Sequence, residues 1–102
     1  MLKPKTYVGL DNDLNGGMTD TGKIIRDARA FGLIPESETC AGWLPHQIEA
    51  IWERANAEWE KYGFRVSAMP ENLRTKYMRI QSQAMAQART AGWTGAQELD
   101  DD

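Results

Sequence analysis

The 102-residue chain has few of the features that would place it in a broad class of proteins. One cysteine excludes an internal disulfide and a cysteine zinc cluster. No apolar run approaches the roughly 18 residues of a membrane span, and the N-terminal residues lack the apolar stretch of a signal peptide. Four tryptophans and a hydrophobic share of 41% still supply core material. We therefore expect one soluble, cytoplasmic domain that does not bind a membrane.

Glycine and proline divide the chain into a head, three helices and a tail. Pro45 and Pro70 suit first helical positions, Thr19 suits an N-cap, and glycines follow each helical stretch. These signals predict a mainly α fold, a small three-helix domain over residues 1–94 with helices at about 20–31, 45–62 and 70–91.

The two ends of the chain look irregular. The head is rich in glycine and carries one candidate for a short strand at residues 5–8, where threonine, tyrosine and valine favour an extended backbone. Residues 95–102 form an acidic tail that we expect to be disordered.

Apolar spacing in the two longer helices predicts the core. At 100° per residue, one stripe of the second helix contains Ile48, Ile51, Trp52, Ala55, Trp59 and Tyr62. The third helix has a stripe of Leu73, Tyr77, Ile80, Ala84, Ala88 and Ala91. We expect both tryptophans of the second helix in the core, and Cys40 buried and inert.

Charge is sorted along the chain. Residues 36–60 contain six acids and one base, whereas residues 65–89 contain five bases and one acid. One interpretation is that the second and third helices pack antiparallel and attract across their seam. The other is that a ridge of Glu49, Glu53 and Glu60, beside large aromatics, meets another protein.

The second interpretation gives our main functional hypothesis. We predict a small non-catalytic, protein-binding or regulatory domain that docks on a partner protein through an acidic and aromatic helical face. Its contact residues would be Glu49, Glu53, Glu60, Trp52 and Trp93. The partner's identity and homo-oligomer formation stay open.

One short motif contains metal-binding chemistry. Residues 11–16 read D-x-D-x-N-G, which resembles the first half of an EF-hand calcium loop. Asp11, Asp13, Asn15 and Thr19 are the candidate ligands for Ca²⁺, but Gly22 stands where such a loop has its bidentate glutamate. A polar turn explains the same residues. Divalent-cation binding is therefore an alternative function.

Two further classes have weaker support. Binding of nucleic acid by the basic third helix is a second alternative, but its bases spread around the helix instead of forming one track. Cys40 and His46 lack an orienting group for nucleophilic catalysis. No complete catalytic constellation is visible, which points away from an enzyme.

Overall fold

A computed structural model of the protein describes residues 5–92, without the side chain of Asn15. It confirms the mainly α, three-helix fold. The helices are α1 (Asp20–Ala30), α2 (Pro45–Glu60) and α3 (Glu71–Thr90), and short 3₁₀ turns occupy Leu10–Asn12, Leu14–Gly17 and Val66–Ala68. The predicted tail at residues 95–102 lies outside the described residues.

The ends of α1 are fixed by the signals that predicted them. The Thr19 hydroxyl accepts a hydrogen bond from the Gly22 amide at 3.0 Å, which satisfies one of the free amides of the first turn. At the other end, Gly32 has a φ of 74°, and the Leu33 amide donates to the Ala28 carbonyl at 2.9 Å. This arrangement closes the helix as a glycine C-cap does.

Helix α1 lies between α2 and α3 and contacts both. A larger part of its circumference is therefore buried than in an amphipathic helix, which buries one face. Its buried residues are Gly22, Ile25, Arg26, Asp27, Ala28 and Ala30. Arg26 and Asp27 are charged, and a pattern of one apolar stripe does not predict their burial because it assumes a helix with one buried face.

The prediction that α2 and α3 pack side by side is wrong. Their main contact is the edge-to-face pair of Trp59 and Tyr77, with ring centroids 5.4 Å apart, and α1 separates them elsewhere. No ion pair joins α2 to α3 within residues 5–92. Two bases of α3, Lys76 and Arg79, instead meet the α1–α2 connector, where Arg79 contacts both oxygens of Glu36 at 3.0 Å.

The head, which is the segment before α1, forms no strand in its described part, residues 5–18. Its backbone is held by the α1–α2 connector: the Tyr7 amide donates to the Trp43 carbonyl at 2.9 Å, and Tyr7 accepts from Gly42 at 2.8 Å. Cys40, in the same connector, is fully buried as expected. This pairing places the head beside the start of α2.

Gly16 is required where the 3₁₀ turn Leu14–Gly17 passes α3. A Cβ at Gly16 would lie 2.6 Å from the Ala88 Cα, and the φ of Gly16 is 64°. Gly63 has nearly the same φ, 61°, but the nearest atom to its added Cβ is the flexible Arg65 Nε at 3.8 Å. The two glycines therefore share a backbone conformation, but only Gly63 has room for a Cβ atom.

We predict that Gly16→Ala destabilises the fold more than Gly63→Ala. Both variants should lose about 1–2 kcal/mol for a side chain in the left-handed region. Gly16→Ala should lose a further ~1–3 kcal/mol because α3 must shift. Urea unfolding of the two variants and the parent measures the difference. Equal losses would mean that the contact between the turn and α3 is not tight.

Candidate functional site

Two adjoining cavities open on the side of the molecule where α1, α2 and the head meet. The first, of about 600 Å³, lies between α1 and α2, and we name it the Asp27 cavity after a carboxylate in its wall. The second, of about 740 Å³, is the Trp43 cavity, which the head also lines. Ile24 and Trp52 belong to both walls. The two cavities therefore adjoin in one depression, and the Trp52 side chain lines both of them.

Exposed apolar side chains concentrate around these cavities. The described residues include six large exposed hydrophobics, of which four line one cavity or the other. Trp52 is 47% exposed, and more than half of the side chain is exposed at Val8, Leu14 and Phe64. Water-exposed apolar residues are ordinary when they are scattered, whereas a contiguous set marks an interaction surface.

Trp52 is therefore not the core residue that the stripe of α2 predicted. Ile51 and Ala55 are buried against α1, and Trp59 packs in an aromatic cluster, but Trp52 lies at the margin of the stripe. Trp93, the other predicted contact tryptophan, lies outside the described residues.

The acidic ridge runs along α2 beside Trp52. Helical spacing places Glu49, Glu53 and Glu60 within an arc of about 40°, and all three are exposed. None of them forms an ion pair within residues 5–92. The apolar depression and the unpaired ridge together form what we call the α1–α2 face.

The Asp27 cavity contains a hydrogen-bonded carboxylate. Asp27 Oδ2 accepts from Lys23 Nζ and from the Trp59 indole Nε1, both at 3.0 Å. The Trp59 ring stands edge-on to Phe31 and Tyr77, at 5.4 Å from each ring centroid. This aromatic cluster fixes the indole, which in turn fixes the carboxylate in the cavity wall.

The residues predicted to bind a metal have a different set of contacts. Asp13 accepts hydrogen bonds from the Tyr7 hydroxyl at 2.6 Å, from the Thr19 hydroxyl at 2.5 Å and from the Leu14 amide at 2.7 Å. Asp11 is exposed. Within residues 5–92, no group of three His, Cys, Asp or Glu side chains gathers around a common centre. Cation binding stays a prediction, and Asp13 serves here as a brace.

Titration of the brace reflects these contacts. Burial acts to raise the pKa of Asp13, but the hydrogen bonds from Thr19, Tyr7 and Leu14 outweigh it and hold the pKa below the ordinary 3.8. Burial first, and then the bond to Asp13, raise the pKa of the Tyr7 phenol. The ionised carboxylate therefore ties the head to the N-cap of α1 at neutral pH.

The alternative sites are not assembled as an active centre. His46 is exposed whereas Cys40 is fully buried, and burial followed by the charge of Glu38 raises the pKa of the Cys40 thiol to about 11. A protonated, enclosed thiol is a poor nucleophile.

The basic residues of α3 are partly neutralised within the chain. Arg79 and Lys76 both contact Glu36, which reduces the positive charge available to a nucleic-acid phosphate backbone.

Comparisons with known proteins identified no relative of this chain. No protein-family model matches the chain, and no curated protein and no solved structure matches it. None of the helices in residues 5–92 is both long and apolar enough to cross a bilayer. The function must therefore be argued from the α1–α2 face itself.

Sequence reasoning missed most of the apolar part of this face. Leu14, Phe64 and Asp27 were not among the predicted site residues. A local signal was available for Phe64, which directly follows the glycine after the predicted second helix and therefore lies outside the apolar stripe of that helix.

We predict that Asp13→Asn lowers the free energy of unfolding by about 1–2 kcal/mol. The change replaces one carboxylate oxygen by an NH₂ group, which cannot accept a hydrogen bond from the hydroxyl or amide donor that it faces. The native pKa lies below the ordinary value, so the contribution of Asp13 is complete above pH 3.8 and is lost as the pH falls through the native pKa. Acid unfolding should be shallower in the variant.

The matched control is Asp11→Asn, at an exposed carboxylate in the same turn. Its stability and acid profile, followed by circular dichroism, should match those of the parent. Equal losses at both positions would show that the general charge of the turn matters and that the brace does not.

Proposed function

We propose that this protein is a small docking domain whose α1–α2 face binds a basic, amphipathic segment of a partner protein. The observation that carries the proposal is the grouping of exposed apolar side chains around two adjoining cavities, next to an acidic ridge that forms no ion pair within residues 5–92. Apolar centres with charged rims are the usual composition of protein interfaces.

Charge around the face supports a basic partner. The carboxylates in the cavity walls belong to Asp13, Asp20, Asp27 and Glu49. Among the described residues, these walls contain two cations, Lys5 and Lys23, against four carboxylates, and Lys23 already pairs with Asp27. The free glutamates of the ridge increase the excess of negative charge. Complementary charge mainly selects the partner and speeds the encounter, while buried apolar contacts hold the complex.

Trp52 is the expected anchor of the contact. It lines both cavities, is half exposed, and belongs to α2, whose Ile51 and Ala55 are buried. Tryptophans on rigid elements recur as the residues that dominate binding energy. The cost of ordering Trp52 on binding is low because its backbone is already fixed.

We expect a synthetic helical peptide with leucines on one face and lysines on the other to bind, and the same peptide with glutamates for lysines not to bind. Trp52→Ala should weaken binding of the lysine peptide by about tenfold or more. Glu53→Lys should weaken it severalfold and flatten its salt dependence. Isothermal titration calorimetry at two salt concentrations measures these changes.

Two matched variants on α3 serve as controls. Met78→Ala removes another large exposed hydrophobic, and Glu71→Lys makes the same charge reversal away from the face. Neither should alter binding. Equal binding of the two peptides, or equal losses in the face and control variants, would contradict the proposal. The thermal unfolding temperature of Glu53→Lys should not fall, because the change removes the repulsion with Glu49; a drop without lost binding would assign the ridge to the fold.

A further inference from the structure

The exposed side of α3 has a second surface of apolar and charged residues. Met78 and Met85, which are 51% and 39% exposed, are the two large exposed hydrophobics of the described residues that line neither the Asp27 nor the Trp43 cavity. Helical spacing places them with Arg74 and Arg89 in an arc of about 60°, and we name these four residues the α3 stripe. Glu71 lies at the edge of the same arc, in the first turn of α3, so the arc keeps an excess of positive charge.

The α3 stripe is complementary to the α1–α2 face. Neither arginine of the stripe and no glutamate of the acidic ridge forms an ion pair within residues 5–92. At 1.5 Å per residue, about 22 Å separates Arg74 from Arg89, and about 16 Å separates Glu49 from Glu60. Methionine adapts to irregular apolar surfaces and packs well against aromatic rings such as Trp52. Opposite charge and apolar residues on both surfaces thus favour contact between them.

The stripe and the face adjoin on the same molecule. A third cavity, next to the stripe, shares Val66 with the wall of the Asp27 cavity. Its lining residues are Val66, Ser67, Arg74, Thr75 and Met78. A single patch therefore contains both complementary halves of a contact. Such a patch can pair with its own copy about a two-fold axis, so that each half meets the opposite half of the other molecule.

We propose that the basic segment that occupies the α1–α2 face is the α3 stripe of a second copy of this chain, in a two-fold dimer. The inference rests on the docking function proposed above and names its partner. The dimer forms the contact twice, with the methionines of each copy against Trp52 of the other and the arginines beside the acidic ridge. Contacts made by one helix face are small, so the dimer is reversible.

Sedimentation velocity of the full chain, from micromolar to millimolar concentration, measures the association. The average mass should rise from monomer toward dimer, and salt should weaken the association. Glu53→Lys and Arg89→Glu should each weaken it by about tenfold, because each change acts at both contacts. Gln83→Glu is the control: it adds an acid at an exposed position of α3, about 120° from the stripe, and should leave the association within about twofold of the parent.

Mixing the two reversed variants tests the pairing of the surfaces. Each variant alone brings like charges together at both contacts. In a mixed dimer, the face of the Glu53→Lys chain meets the stripe of the Arg89→Glu chain, and an unchanged face meets an unchanged stripe at the other contact. An equimolar mixture should therefore associate within about threefold of the parent. Circular dichroism confirms that both variants are folded, and Met85→Ala, which leaves the charge unchanged, should weaken the parent dimer severalfold.

The inference is overturned when the chain stays monomeric at millimolar concentration. It is also overturned when both reversed variants associate as the parent does, or when their mixture associates no better than either one alone. Where the parent dimerises, the lysine peptide should dissociate it and the glutamate peptide should not; a dimer that ignores the lysine peptide uses another surface.

The peptide titration separates this inference from the docking function. It uses protein dilute enough to be monomeric, because Met78 belongs to the stripe and Glu71 lies at its edge. A monomeric chain that binds the lysine peptide in a Trp52-dependent way keeps the docking function, with a different protein as the partner. A chain that neither dimerises nor binds the peptide refutes both proposals.

Discussion

The buried guanidinium of Arg26 connects three parts of the molecule. Its Nη1 atom donates to the Gly17 carbonyl at 2.7 Å, and its Nε atom donates to Gln81 Oε1 at 3.0 Å. Gln81 in turn donates to the Tyr77 hydroxyl at 3.1 Å. The N-terminal turn, α1 and α3 are thus held by one side chain. Burial lowers the pKa of Arg26, but arginine remains charged in proteins.

Arg26 and Asp27 carry opposite charges on the central helix and serve its two sides. Arg26 bonds to Gln81 of α3 and to the N-terminal turn, whereas Asp27 bonds to Trp59 of α2. Both charges are buried, which requires hydrogen bonds that fix the neighbouring elements in one arrangement. The two side chains differ in one respect: within residues 5–92, Asp27 Oδ1 accepts no hydrogen bond.

Sequence patterns predicted the helices because these depend on local signals, such as the Thr19 cap and Pro45. They did not predict which helix is central. A stripe of apolar residues shows that a helix has a buried face, but two helices with one stripe each are compatible with several arrangements. Burial of Arg26 and Asp27 depends on partners 55 and 32 residues away, Gln81 and Trp59, which no local pattern encodes. The acidic ridge was found from sequence, while the cavities beside it required the packing.

The position of the basic residues of α3 explains why the acidic ridge forms no ion pair within the described part of the chain. Had α3 packed along α2, its arginines would have met Glu49 and Glu53. Instead α1 intervenes, and Arg79 and Lys76 contact Glu36 in the connector. Two glutamates four residues apart on a helix repel one another, so the ridge weakens α2 slightly in the isolated protein. A basic partner would relieve that repulsion, so the charge of the proposed ligand offsets a cost that α2 bears in the isolated protein.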